Sequence, residues 1–160
     1  MQKISILCVG KLKEKFYADA AAEYVKRLGR FCKLEITELP ESRLPDAPSQ
    51  GEIDQALSAE AALIEAKLPR GCTLIAMCIE GRELSSLQLA EALHGFALSG
   101  ASSLAFVIGG SVGLSPALKR RAELCLSMSP MTFPHHLARV MLLEQIYRAY
   151  QINAGTKYHK

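Results

Sequence analysis

Apolar residues along this chain alternate between short unbroken runs and longer stretches where they recur every three or four positions. Unbroken runs suit strands buried on both faces, and the wider spacing suits helices with one apolar side. The first run, ISILCVG between Lys3 and Lys11, ends at Gly10 and predicts a strand. Lys13 to Arg30 predicts a helix on the repeat Phe16, Ala20, Tyr24 and Leu28, with Gly29 near its end. Leu34 to Leu39 alternates at period two, which predicts a strand that is wet on one face or close to a sheet edge. Pro40, Pro45 and Pro48 then exclude regular structure from PESRLPDAPSQG, which reads as a surface loop without evident chemistry.

The alternation continues. Ile53 to Leu68 is Ala-rich, with apolar positions at Leu57, Ala61, Ile64 and Leu68, and predicts a helix. Thr73 to Ile79 is a strand closed by Glu80-Gly81. Ser85 or Ser86 caps a helix to about Leu98, with Leu87, Leu89, Ala90, Leu93 and Phe96 on its apolar face. Leu104 to Ile108 is a strand ending in Gly109-Gly110. Ser115-Pro116 opens another helix, and a short run from Leu126 to Phe133 leads through Pro134 into a long terminal helix. The terminal helix carries Leu137, Val140, Met141, Leu142, Leu143, Ile146, Tyr147 and Tyr150, which cover more than one face. A helix of that kind is either central or packed against a second subunit, and a homodimer is expected.

Ten alternating elements with strongly apolar strands define an α/β fold with a mostly parallel sheet flanked by helices, in one domain over residues 1–160. Ligands in such folds bind beyond the carboxyl ends of the strands. Those ends are expected at Val9-Gly10, Ile79-Gly81, Gly109-Gly110 and Met131-Thr132-Phe133.

Composition narrows the partners. The chain has 49% hydrophobic and 22% charged residues, a globular balance, and no run of about 18 apolar residues to cross a membrane. Its start reads as a first strand rather than a signal peptide. Five cysteines, an odd number with no CxxC pair, suit free thiols buried in a reducing cytoplasm. The net charge of +3 is unevenly spread. Residues 1–114 hold 12 Lys and Arg against 14 Asp and Glu, whereas residues 115–160 hold 7 against 2. The basic end suits an anionic partner, and a plain solvated face fits the charge equally well.

Two motifs carry chemistry. FVIGGSVGLSP places glycines where a backbone turns sharply and a ligand can approach without a Cβ in the way, although an ordinary strand-to-helix turn reads the same. Its G-G-x-x-G spacing lacks the dinucleotide fingerprint, and no G-K-[ST] follows, so the phosphate-binding P-loop is excluded. SMSPMTFPHHLARVMLLEQIYRAYQ combines hydroxyls at Ser127, Ser129 and Thr132 with backbone that Pro130 and Pro134 keep out of a central strand. His135 and His136 follow in the first helical turn, with Arg139 on the His135 face. Glu144 and Arg148 are spaced as a helical ion pair. No third ligand accompanies the two histidines, so a metal site is not expected.

Taken together, VIGGSVGLSP, MSPMTFPHHLARVMLLEQIYRAYQI and the terminal YHK resemble the RlmH family, SAM-dependent ribosomal RNA methyltransferases of the SPOUT (α/β-knot) superfamily. The likeness extends to ISILCVGKLKEKFYADAAAEYVKRLGRF and TLIAMCIEGRELSSLQLAEAL and leaves out only the segment around Glu41 to Gln50. The resemblance implies a homodimer whose C-terminal segment threads a preceding loop as a trefoil knot, a topology that periodicity alone cannot reach. It implies S-adenosylmethionine bound by Met77, Gly109, Gly110 and the run Met128, Ser129, Pro130, Met131, Thr132 and Phe133. The implied reaction is methylation of N3 of a pseudouridine in 23S rRNA, on the 70S ribosome or large subunit, in the cytoplasm. His135, Arg139, Tyr158 and His159 are the candidate catalytic residues, and Arg148 and Lys160 the candidate substrate contacts. The Tyr158-His159-Lys160 tail is expected to reach the partner's site. A non-catalytic ribosome- or RNA-binding module with this fold, and an α/β enzyme acting on a small nucleotide, are the alternatives.

Overall fold

The computed structural model describes residues 1–160. Its elements are β1 (Lys3–Val9), α1 (Lys15–Leu28), β2 (Lys33–Leu39), α2 (Gln50–Lys67), β3 (Thr73–Glu83), α3 (Ser86–Leu98), β4 (Ser103–Ile108), α4 (Pro116–Arg121), β5 (Leu124–Ser127) and α5 (His135–Asn153). The five strands form one sheet in the order β2-β1-β4-β3-β5, and every pairing is parallel. β2 is an edge strand with mixed burial, as its period-two pattern requires.

The two central strands show how the sequence builds both cores. Along β1, Ile4, Ile6 and Cys8 point to one face and Leu7 and Val9 to the other. Along β4, Leu104, Phe106 and Ile108 alternate with Ala105 and Val107 in the same way. The larger core, of 18 buried residues, lies under α1, α3 and α5; the smaller, of 10, lies under α2 and α4. In α5 the buried positions Arg139, Leu142, Leu143, Ile146 and Ala149 form a helical stripe. No residue from His135 to Ile152 is fully exposed, and those outside the stripe are partly buried.

Several boundaries differ from expectation for local reasons. α2 begins at Gln50 because Ser49 and Glu52 form a reciprocal capping box, with Ser49 Oγ accepting from Glu52 N at 3.1 Å. Ser85, not Ser86, caps α3 through the same device with Gln88. β3 extends to Glu83 through an irregularity in which Leu126 of β5 pairs with both Met77 and Arg82, so residues 78–81 bulge out of the ladder. β5 ends at Ser127, and Met131-Thr132-Phe133 lies in the following loop rather than at a strand end. Phe16 and Leu87, expected on apolar faces, are 66% and 58% exposed. They stand in the first turns of their helices. All five cysteines are free. Cys8 and Cys32 are buried, and Cys72, Cys78 and Cys125 only partly so.

Candidate functional site

The bulge within β3 and the loops after β4 and β5 enclose a cavity of about 860 Å³. The bulge of β3 contributes Met77 to Glu80, the glycine loop Gly109 to Leu114, and the loop after β5 Met128, Ser129 and Met131 to Phe133. His135 and Ala138 close the end nearest α5. Of the residues assigned to the cofactor from sequence, only Pro130 does not line it. Ile79 and Glu80 line it as well, and Cys78, Val112 and Lys119 were not singled out from sequence. The strand-end rule pointed at Ile79 and Glu80, but nothing in the pattern signalled the bulge that turns them inward.

The glycine loop is held by backbone and by one distant carboxylate. Gly113 has φ +81° and donates its N–H to Gly110 O at 3.1 Å, closing a tight turn. A Cβ on Gly109 would collide with the Gly113 carbonyl, which is backbone and cannot swing away. Ser115 Oγ accepts from Leu118 N at 3.2 Å and starts α4. From the proline-rich segment, Glu41 Oε1 accepts from Ser111 N at 2.8 Å. Burial alone would raise the Glu41 pKa, but the Ser111 hydrogen bonds and the nearby His135 and His136 outweigh it and bring it below the usual carboxylate value. The adjoining Ser42 N donates to Glu60 Oε2 at 2.8 Å, and Glu60 is 3% exposed on α2. The segment that carried no evident chemistry is therefore a strap tied near its start both to the glycine loop and to α2.

On the opposite wall, Ser127 Oγ donates to Ser129 O at 3.2 Å and Met131 N donates to Ser129 Oγ at 3.0 Å. These short-range bonds hold the loop open where Pro130 and Pro134 prevent a ladder. At the mouth, Lys119 pairs with Glu80, and this hydrogen bond is the main cause of the lowered Glu80 pKa. Burial, reinforced by Cys125 and Glu80, pushes the Cys78 thiol up to about 11, which makes it a poor nucleophile at neutral pH.

His135 faces the cavity and sits against Gly10 at the end of β1. A Cβ on Gly10 would lie 2.6 Å from His135 Cε1, and Gly10 has φ +109°, so only glycine fits there. Burial first, then the neighbouring His136, holds the His135 pKa below its ordinary value of 6.5. The imidazole is consequently neutral near pH 7 and has a lone pair to offer.

The other sequence candidates lie elsewhere. Arg139, expected to meet substrate, is 3% exposed and turned inward: its guanidinium donates to Glu38 Oε2 at 2.8 Å and to Gly10 O at 3.2 Å. A guanidinium engaged in that way ties α5 to β1 and β2 and does not line the cavity. Tyr158, His159 and Arg148 form a second cluster around Glu144. Arg148 and Glu144 pair at 2.6 Å, Tyr158 donates to Glu144 Oε1 at 3.0 Å, Arg148 Cζ stands 4.8 Å from the Tyr158 ring centre, and His159 Nδ1 lies 3.2 Å from Arg148. Glu144 also borders a smaller cleft of about 400 Å³ next to Met128. Lys160 is exposed and makes no ion pair. No three His, Cys, Asp or Glu side chains are grouped to hold a metal ion, and no helix is long and apolar enough to cross a membrane.

A parallel sheet with an apolar, glycine-backed cavity beyond its strand ends defines a ligand-binding α/β protein. Comparison narrows the class. Residues 2–159 match the family model described as "Predicted SPOUT methyltransferase". The chain is 50% identical over 158 residues to ribosomal RNA large subunit methyltransferase H of Bifidobacterium adolescentis, covering 99% of each chain. It is 45% identical to the protein of the same name from Streptococcus suis, again over 99% of each. Among solved structures it is similar to a probable methyltransferase from Bordetella pertussis, with a TM-score of 0.55 and 17% identity over 93% of this chain and 96% of that one. A probable methylase family protein from Haemophilus influenzae gives a TM-score of 0.53 and 16% identity, over 99% of this chain and 71% of that one. At those identities the solved structures bear on the fold alone. The chain belongs to the SPOUT methyltransferase family, in the group formed by the large-subunit ribosomal RNA methyltransferases H (RlmH).

Proposed function

We propose that this protein methylates N3 of a pseudouridine in large-subunit (23S) ribosomal RNA, with S-adenosylmethionine as donor. The observation that carries the reading is the cavity itself. Its walls combine apolar side chains, suited to an adenine ring and a methionine tail, with the backbone of the glycine loop at Gly109 and Gly110. The relatives' name supplies the class of RNA.

When bound, the donor supplies an electrophilic methyl group on a sulfonium. The chain's own task is to position the nucleotide and favour loss of its N3 proton. The target base must leave its stack to be reached. His135, neutral and at the cavity wall, is placed to take the proton. Arg148 and Lys160 meet phosphate or the oxygen on which charge develops. Arg148, Tyr158 and His159 do not line the cavity of their own chain, an arrangement that supports a homodimer in which the tail of one copy completes the site of the other. The trefoil threading of the C-terminal segment belongs to the same proposal, as does a cytoplasmic setting. A chain this small, with a net charge of +3, has limited surface for naked RNA, which favours the assembled ribosome or large subunit as substrate.

The test is methyl transfer from S-adenosylmethionine to ribosomes from a strain lacking the gene, followed by mass mapping of the modified nucleotide. One methyl on N3 of a 23S pseudouridine is expected. No incorporation, with RNA affinity retained, supports the non-catalytic module instead.

A further inference from the structure

The chain carries an aromatic feature that the cofactor cavity does not account for. Phe16 and Tyr17, in the first turn of α1, have ring centres 4.4 Å apart. Tyr17 stacks on His136 at 5.8 Å with the planes inclined by 17°. His136 lies 3.8 Å from His135, which lines the cavity. Four rings from two helices thus run in series from solvent to the site. Phe16 at the outer end is 66% exposed, and nothing in the chain covers it. Lys11 and Lys13, in the connection just before α1, are exposed and form no ion pair, while Lys15 is held by Asp19 at 2.8 Å. Glu14 stands among them and tempers the local charge.

We propose that Phe16, Tyr17, His136 and His135 form a stacking track for unpaired RNA bases flanking the methylated nucleotide, with Lys11 and Lys13 meeting the backbone phosphates. This rests on the RNA-methyltransferase reading above. Single-stranded RNA is held by aromatic faces that take splayed bases and by cations that follow the phosphates, and both are present here, the exposed lysines just before the first ring in the chain. The track ends at His135, so a base stacked on Tyr17 and His136 is a neighbour of the one that enters the cavity. The lysines favour a polyanion over an apolar protein partner.

The absence of tryptophan makes the track directly observable. Phe16→Trp places the only indole of the protein at its outer end. Binding of large ribosomal subunits from a strain lacking the gene should quench its fluorescence, and added salt should reverse the quench. Phe16→Ala should raise the KM for ribosomes about five- to tenfold, the effect of losing one base–aromatic contact. In that variant kcat and the Kd for S-adenosylmethionine should hold, and Phe16→Trp should restore the KM. Unquenched fluorescence with bound subunits overturns the proposal. So does a Phe16→Ala variant with normal KM, or one whose defect comes with a changed oligomeric state, which makes the rings a subunit interface. If the native protein transfers no methyl group yet the indole is quenched, the track stands and the methyltransferase reading fails.

Discussion

The guanidinium of Arg139 on α5 donates to the carboxylate of Glu38 on β2 at 2.8 Å, joining residues 101 positions apart in the chain. The same side chain holds the carbonyl of Gly10, against whose Cα the His135 ring rests. Arg139 is therefore a positioning residue: it ties the N-terminal turn of α5 to the ends of β1 and β2 and so sets where His135 stands.

Replacing Arg139 by Leu should destabilise the protein by about 2 kcal/mol, less than is usual for a buried pair because the Glu38 side chain is 36% exposed and can rehydrate. Thermal unfolding would show a fall of roughly 4–8 °C. The pair also has a pH signature. Burial alone would raise the Glu38 pKa, but hydrogen bonds from Arg139 and Leu12 outweigh it and leave it below the ordinary 4.5. A carboxylate depressed on folding contributes stability above its unfolded pKa and loses it as pH falls through the folded one. The gap between native protein and Arg139→Leu should therefore be full above about pH 4.5 and shrink below it. A gap that is constant down to pH 3 would be inconsistent with an ionic link.

Glu41 tests whether the strap matters to the glycine loop. Glu41→Ala removes the acceptor of Ser111 N and should weaken S-adenosylmethionine binding about five- to tenfold, the scale of one partly exposed charged hydrogen bond. Glu41→Gln keeps an acceptor oxygen and should recover most of the affinity. Equal Kd values for Ala, Gln and native protein would detach the strap from the site.

The role of His135 is legible in the pH dependence of kcat/KM. A proton acceptor must be neutral, so activity should be full above its pKa and decline as pH falls through it. With that pKa below 6.5, the acid limb should fall below pH 6.5 and disappear in a slow His135→Gln variant. An acid limb that is unchanged in the variant would assign the proton to another group.

Ending the chain after Thr156 removes Lys157 and, with it, the three candidates Tyr158, His159 and Lys160. Methyl transfer should drop by at least a hundredfold while binding of S-adenosylmethionine is kept, because none of the three lines the cavity. Unchanged transfer would refute a catalytic tail.

Much of the frame could be read directly from residue order. Ile4 to Val9, broken only by Ser5, and Leu104 to Ile108 are apolar runs because both faces of those strands are covered, and that signal survives any tertiary detail. Pairing was less legible. The bulge at residues 78–81 depends on one residue of β5 meeting two of β3, and neither strand announces it. Glu41 sits in a segment whose prolines exclude regular structure, and its role exists only because Ser111 comes within reach from elsewhere in the chain, as Glu60 does for the adjoining Ser42. The resemblance made Arg139 a catalytic candidate, and its spacing put it on the His135 side of the helix, but its guanidinium turns to Glu38, 101 positions earlier, while His135 reaches the cavity.

The central claim is that the cavity behind Gly109 holds the methyl donor, and calorimetric titration of the native protein and Gly109→Ala with S-adenosylmethionine tests it most directly. A Cβ at Gly109 strikes the Gly113 carbonyl, so the loop must open and the wall is lost. Saturable binding of one donor per chain by the native protein, and at least tenfold weaker binding by a variant that still unfolds cooperatively, is the expected result. No heat from the native protein, or undiminished affinity in Gly109→Ala, would contradict it.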